Sequence, residues 1–241
     1  MDKELNRARA LLRTATRIAV LTGAGISAES GIPTFRDAMT GLWAQFRPEE
    51  LATPEAFAAN PSVVWEWYAW RRQKVAQAAP NAGHVALAQL ERRVPRFALA
   101  TQNVDGLHAR AGSRDVIELH GNLMEDRCFA EGRLLSPAEE LPGTPPRCAH
   151  CGAPVRPGVV WFGEALPAAA LATAWAAAQA CDVFLCVGTS TAVEPAASLP
   201  FVALEAGAAV IEVNPTRTPL SAEATVVLAG AAGEVLPKLL D

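Results

Sequence analysis

The chain has 241 residues, 51% of them apolar and 19% charged, long enough to bury a core without covalent staples and too apolar to stay disordered. Acidic residues outnumber basic ones by 25 to 21, for a formal net charge of −4, which argues against a nucleic-acid surface. The longest uncharged stretch, residues 165–181, is mostly alanine and carries Pro167 and Gln179, too short for a membrane span.

The sequence opens on Met1-Asp2-Lys3-Glu4, without the basic segment and apolar stretch of a secretory signal, so a cytoplasmic location is expected. Helical periodicity over residues 3–16 precedes an apolar strand at 17–22 and the turn Gly23-Ala24-Gly25. Residues 37–79 break the pattern: they read as helical, with a helix over 61–78 that concentrates aromatics in Trp65-Glu66-Trp67-Tyr68-Ala69-Trp70. A helix over 81–93 and strands at 97–101 and 116–119 follow. Residues 121–157 break the pattern again, being rich in proline and glycine and holding three of the five cysteines. A helix over 167–180, a strand at 183–187, a helix over 195–206 and strands at 209–213 and 225–228 complete the chain. Alternation of buried-looking strands with helices predicts an α/β fold with a parallel sheet covered on both faces. The main domain is expected from residues 1–36, 80–120 and 158–241. Residues 37–79 and 121–157 are expected to form a smaller lobe, with a ligand cleft between the two.

The first strand runs into G-x-G-x-x-A at Gly23, Gly25 and Ala28, a turn in which backbone can approach a pyrophosphate closely. A dehydrogenase would place an acidic residue at the end of a second strand about 20 positions later. Here the loop Glu29-Ser30-Gly31-Ile32-Pro33-Thr34-Phe35-Arg36-Asp37 follows instead, which weakens that reading. The extended run from Gly23 to Arg36 closely resembles the signature of sirtuins, the NAD-dependent protein deacylases. Further matches follow in the family's order: Thr101-Gln102-Asn103-Val104-Asp105-Gly106-Leu107-His108, Leu119-His120-Gly121-Asn122, Val159-Val160-Trp161-Phe162-Gly163-Glu164, Gly188-Thr189-Ser190 and Asn214-Pro215. The resemblance covers nearly the whole chain. It implies a Rossmann-like NAD-binding domain with a helical and a zinc-ribbon-like insertion.

Taken alone, His120 is an ordinary histidine at a strand end. An imidazole titrating near neutrality suits a base that must deprotonate a hydroxyl, and the resemblance implies that His120 does so to a ribose hydroxyl of NAD. It also implies that Gly23, Ala24, Gly25, Glu29, Thr34, Phe35 and Arg36 help hold NAD. Asn103 and Asp105 would form the nicotinamide pocket, with Gln102 on its ribose. Gly188, Thr189, Ser190, Asn214 and Ala232 would lie on the phosphate and adenosine side. In sirtuins the acyl oxygen attacks the nicotinamide ribose, nicotinamide leaves, and free lysine and O-acyl-ADP-ribose are the products. Acyl-lysine proteins are the substrates this implies.

Tyr68 and Arg71, three apart on a predicted helix, share a face and together would receive a carboxylate well. The bland alternative puts Tyr68 in the tryptophan core and Arg71-Arg72 in solvent. The Tyr-x-x-Arg pair resembles the class III sirtuin branch, which prefers succinyl, malonyl and glutaryl lysine. Ala52 matches the small residue that widens the pocket in that branch, and Thr34 replaces the Asp of many deacetylases. The resemblance places substrate backbone along Val160, Trp161, Phe162, Gly163 and Glu164, by strand addition.

Cys148 and Cys151 form a C-x-x-C pair, and Cys128 matches one half of a second pair, but Glu131 stands where its other thiolate should be. Three cysteines with Glu131 or His150 could ligate zinc, carboxylate oxygen being a legitimate ligand; a decayed site held by packing is the alternative. Cys181 and Cys186 flank a buried-looking strand and are expected to be inert core thiols. A monomer is expected, without nucleic-acid or membrane partners. The rival readings are an NAD-dependent mono-ADP-ribosyltransferase, a non-catalytic zinc-ribbon binding protein and a dehydrogenase.

Overall fold

A computed structural model describes residues 2–32 and 48–240. In chain order its elements are α1 (Asp2–Thr14), β1 (Arg17–Thr22), α2 (Gly25–Ala28), α3 (Pro48–Leu51), α4 (Pro54–Ala59), α5 (Pro61–Gln77), α6 (Ala82–Arg93), β2 (Arg96–Thr101), α7 (Leu107–Arg110) and β3 (Val116–Glu118). There follow β4 (Gly121–Cys128), β5 (Leu134–Leu135), β6 (Glu140–Leu141), β7 (Arg147–Cys148), β8 (Val155–Val159), α8 (Ala168–Ala180), β9 (Val183–Val187), α9 (Leu199–Glu205), β10 (Ala209–Asn214), β11 (Val226–Ala229) and α10 (Ala232–Leu240).

The six strands read from apolar runs form one sheet in the order β11-β10-β9-β1-β2-β3, and every pairing in it is parallel. Side chains alternate across it, as a period of two requires. Ile18 and Val20 of β1, with Val183, Leu185 and Val187 of β9, face a layer built on Ala8, Leu12, Leu87 and Leu236 from α1, α6 and α10. Ala19, Leu21, Phe184 and Cys186 face the opposite layer, with Ala174, Ala178 and Ala203 from α8 and α9. The small residues of α8 let it lie close to the sheet. Chain direction reverses between β1, which leads to β2 and β3, and β9, which leads to β10 and β11. That reversal opens a crevice at the carboxyl ends of β1 and β9, where ligands bind in sheets of this kind.

The second body of structure grows from residues 48–77 and 121–159. Asn60 caps α5, its side chain accepting from Val63 N–H, with Pro61 in the first turn, where a missing N–H costs nothing. α4 and α5 pack on the antiparallel sheet β5-β4-β8 through one apolar cluster of Phe57, Val64, Trp67, Tyr68, Leu123, Val159 and Trp161. β8 runs across residues 157 and 158, the boundary expected from the sequence, because it pairs with β4.

Two helices after β9 differ from the expected pattern. The helix expected over 195–206 is a 3-10 turn at Ala196–Ser198 followed by α9, with Pro200 in its first turn. Helix α10 was hidden by Pro237 inside it, yet it buries Val235, Leu236 and Leu239; packing of that face outweighs one lost hydrogen bond. Among the described residues no helix is long and apolar enough to cross a membrane.

Candidate active site

At the sheet's reversal the turns after β1 and β9 are pressed together. Gly25 N–H donates to Gly188 O at 2.7 Å and Gly23 N–H to Val187 O at 3.1 Å. A Cβ on Gly25 would lie 2.6 Å from Gly188 O, and Gly188 itself has φ +61° with Ile26 N 2.4 Å from where its Cβ would be. Side chains are excluded on both sides, so the crevice floor is backbone, which is what a pyrophosphate needs for close approach. Thr189 ties the crevice across: its Oγ1 accepts from Gln102 Nε2 and its carbonyl from Asn214 Nδ2, both at 2.8 Å. Ser190 is exposed beside it. Glu29 reaches the far end, where its carboxylate accepts from Gly233 N–H at 2.6 Å, next to buried Ala232 at the start of α10. Thr34, Phe35 and Arg36 lie outside the described residues.

Beneath the β2 turn lies a buried polar cluster. Asn103 Nδ2 donates to Gly23 O at 3.1 Å and to Ser27 Oγ at 3.2 Å, and Ser27 Oγ donates to Asp105 Oδ2 at 2.7 Å. Asp105 Oδ1 in turn accepts from Leu107 N–H. His84 Nδ1 accepts from Asn81 N–H at 3.3 Å, which puts its proton on Nε2, 3.4 Å from Ser27 Oγ. Burial pushes His84 down to about 4. His108, whose ring lies 4.9 Å from that of His84, is pushed down to about 3, again by burial. Its Nε2 meets Thr22 Oγ1 at 2.8 Å, and Thr22 donates on to Thr101 Oγ1. Both imidazoles are therefore neutral supports. The sequence alone does not single out Thr22, Ser27, His84, Thr101 and His108; Ser27, Thr101 and His108 lie inside the quoted motifs and Thr22 directly precedes one, whereas nothing local marks His84 on α6.

His120 follows β3 at the mouth of the crevice, half-buried. Its Nδ1 lies 2.9 Å from Gln102 O. A carbonyl only accepts, so Nδ1 carries the proton and Nε2 keeps a lone pair. Burial lowers the His120 pKa, opposed by that hydrogen bond, so the ring is a neutral base at pH 7. Val160 N–H donates to His120 O at 2.8 Å, joining the histidine to the segment 160–164.

That segment meets the other candidates for the acyl group. Phe162 N–H donates to Ala52 O at 2.9 Å, Ala52 is buried, and Trp161 Nε1 donates to Tyr68 Oη at 2.9 Å. Phe162 and Gly163 are exposed. Tyr68 is buried against Trp67, ring centroids 4.6 Å apart, so it is a core residue whose hydroxyl also reaches polar neighbours. Arg71 is half-buried, its guanidinium carbon 5.1 Å from the Trp67 ring centroid and 5.5 Å from that of Tyr68. Burial lowers the Arg71 pKa, and the charge of Asp105 pulls the other way. Arg72 is elsewhere: it pairs with Asp126 at 2.7 Å and pins α5 to β4.

At the distal end of this lobe Cys128, Glu131, Cys148 and Cys151 bring one ligand atom each within 4.8 Å of one another. Cys128 Sγ and Cys151 Sγ are 3.4 Å apart, near the roughly 3.8 Å of two thiolates on a tetrahedral zinc. Glu131 takes the fourth corner, hydrogen-bonded to exposed His150 at 2.6 Å and to Arg133 at 2.9 Å. Arg133 offsets the negative charge of such a site. The set fits a structural zinc ion held by three cysteines and Glu131, with His150 orienting the carboxylate. Cys181 and Cys186 are buried in the core, away from this cluster.

Comparison with known proteins follows the same lines. A profile described as the Sir2 family matches residues 23–195. An NAD-dependent protein deacylase of Aquifex aeolicus is 56% identical over 225 residues, 93% of this chain and 94% of that one. A Sir2 homolog solved as an NAD complex superposes with a TM-score of 0.91 and 49% identity, covering 98% of this chain and 92% of the other. A Sir2 homologue variant solved with 2′-O-acetyl ADP ribose gives a TM-score of 0.88 and 48% identity, over 100% of this chain and 95% of that one.

Proposed function

The chain belongs to the Sir2 family, and from that membership we propose that it removes acyl groups from protein lysine side chains at the expense of NAD, with acyl groups that end in a carboxylate preferred. The comparisons do not favour transfer of ADP-ribose to protein. Bound NAD supplies an electrophilic ribose carbon with nicotinamide as its leaving group. The chain's own residues bind and orient it. The backbone floor at Gly23, Gly25 and Gly188 receives the pyrophosphate; Asn103 and Asp105, fixed by Ser27, present one side-chain edge to the nicotinamide. Ala24 lies on the phosphate turn, and Glu29, Ser190, Asn214 and Ala232 lie toward the adenosine. His120 Nε2 takes the proton from a ribose hydroxyl while Gln102 O holds Nδ1–H, which fixes both tautomer and ring plane.

The acyl preference rests on one observation: Arg71 and Tyr68 lie side by side behind segment 160–163, which joins His120 through Val160. A guanidinium partly removed from water gains most from an anion that arrives beside it. Acetyl lysine, with no charge to offer, makes no use of it. The backbone of Val160–Gly163 pairs with the substrate strand.

The test is Arg71→Met assayed on matched succinyl-lysine and acetyl-lysine peptides. The succinyl-to-acetyl ratio of kcat/KM should fall about tenfold or more, the worth of a charged hydrogen bond. Equal losses on both peptides would remove Arg71 from the carboxylate. The same reading makes the protein a cytoplasmic monomer without nucleic-acid partners. It divides the chain into an NAD-binding domain and a small lobe made of 48–79 and 121–157, residues 37–47 of the expected lobe lying outside the described residues.

A further inference from the structure

We infer that Trp161 is a positioning residue for acyl selectivity: it fixes the Tyr68 hydroxyl as a hydrogen-bond donor toward the acyl carboxylate, and the part-buried Arg156–Glu164 pair holds Trp161 in place. The inference rests on the carboxylate-binding reading of Tyr68 and Arg71 above.

An indole N–H only donates, whereas a phenol oxygen both donates and accepts. Trp161 Nε1 donates to Tyr68 Oη at 2.9 Å, so the phenol oxygen is the acceptor in that bond. Arg71 is also donor-only; it lies over the Tyr68 ring, its guanidinium carbon 5.5 Å from the centroid, and its side chain hydrogen-bonds Tyr68. With two donors as its neighbours, the phenol hydrogen turns away from both and toward an acceptor entering the pocket. A carboxylate is such an acceptor, and an acetyl methyl is not. Burial raises the Tyr68 pKa, so the hydrogen is present at neutral pH.

The effort spent on holding Trp161 supports a directional role. Trp161 is 2% exposed. Its backbone N–H donates to Glu164 Oε2 at 2.8 Å. The Arg156 guanidinium carbon lies 3.4 Å from the indole centroid, a direct stack. The same Arg156 binds both carboxylate oxygens of Glu164, one at 2.9 Å, and donates to Val159 O at 2.7 Å. Phe57 packs on the indole with ring centroids 5.3 Å apart. Packing alone needs no such clamp: Arg156 is buried, Glu164 only partly, and the pair adds direction to the indole rather than much stability. A phenylalanine would keep an aromatic face for Arg156 but lose the N–H together with one indole ring, whereas benzothienylalanine loses the N–H alone.

The experiment compares kcat and KM on matched succinyl-lysine and acetyl-lysine peptides for the wild type, Trp161→Phe, Tyr68→Phe and the double variant. Trp161→Phe should lower the succinyl-to-acetyl kcat/KM ratio about tenfold, mainly through the KM of the succinyl peptide. In the Tyr68→Phe background it should change that ratio less than about twofold, because the hydroxyl it orients is gone. Equal loss on both peptides, or a further fall of the ratio in the Tyr68→Phe background, would overturn the inference and leave Trp161 as packing. Should Trp161→Phe fail to fold, replacement of Trp161 by benzothienylalanine, which keeps the indole shape without its N–H, carries the same two predictions. If Tyr68→Phe and Arg71→Met both leave the ratio unchanged, the carboxylate reading itself has failed, and the role of Trp161 falls with it.

Discussion

His120 shows how little a single side chain decides by itself. Its chemistry comes from Gln102 O, which accepts a hydrogen bond from Nδ1–H at 2.9 Å, and from burial, which lowers its pKa. A base must be neutral to work, so kcat/KM should rise with pH through an apparent pKa below the usual histidine value of about 6.5 and stay flat above it. His120→Asn should lower turnover of every acyl peptide about a hundredfold or more, with NAD still bound in a calorimetric titration. Retention of most turnover would take the proton transfer away from His120. At this scale the candidate residues Gln102, Asn103, Asp105 and His120 can be picked from the sequence, because they sit at strand ends in short contiguous motifs. The supports cannot. His84 reaches Ser27 and His108 reaches Thr22 only because α6 lies beside α2, and α7 beside β1, in space, a relation with no local trace in the chain. The Trp161–Tyr68 bond is of the same kind.

Among the elements, the glycine turn is the most tightly determined. Gly25 and Gly188 touch through backbone with no room for a Cβ. Gly25→Ala should therefore force the two turns apart, at a cost of about 1–3 kcal/mol for overpacking. The expected result is a lower Tm together with loss of the Tm increase that NAD gives the wild type. A wild-type Tm and a wild-type NAD shift would mean that the crevice floor tolerates a side chain. Strands β1 and β9 were read at their observed bounds because strands buried on both faces are unbroken apolar runs ending in glycine. Strands β4 and β8 escaped notice because their charged residues, such as Glu125 and Asp126, obscure any alternation. Helix α10 escaped because Pro237 and the glycines before it read as loop, while its apolar face was visible only against α1 and α6.

For the whole molecule, the two buried histidines link the fold to pH. His84 and His108 are held neutral, at about 4 and about 3, and His120 is lowered in the same direction. Below pH 6.5 the unfolded chain binds protons that the folded chain refuses, so stability falls as pH falls toward those values. Each of the two buried histidines should remove about 2 kcal/mol between pH 7 and pH 5. Glu118, raised by burial, works weakly the other way. Asp182 and Glu139, both depressed by hydrogen bonds and by their arginine partners, lose their contribution only at lower pH. The urea midpoint should therefore drop clearly from pH 7 to pH 5, and an unchanged midpoint would mean that these imidazoles are not desolvated.

One sheet and one small lobe meet at the crevice, and the chemistry claimed for that meeting place is deacylation with NAD. The most direct measurement follows matched succinyl-lysine and acetyl-lysine peptides by mass spectrometry, each with and without NAD. The predicted result is NAD-dependent loss of succinyl, faster than loss of acetyl, with O-succinyl-ADP-ribose and nicotinamide as products. Faster acetyl loss would contradict the carboxylate pocket, and no NAD-dependent loss of either group would contradict the account as a whole.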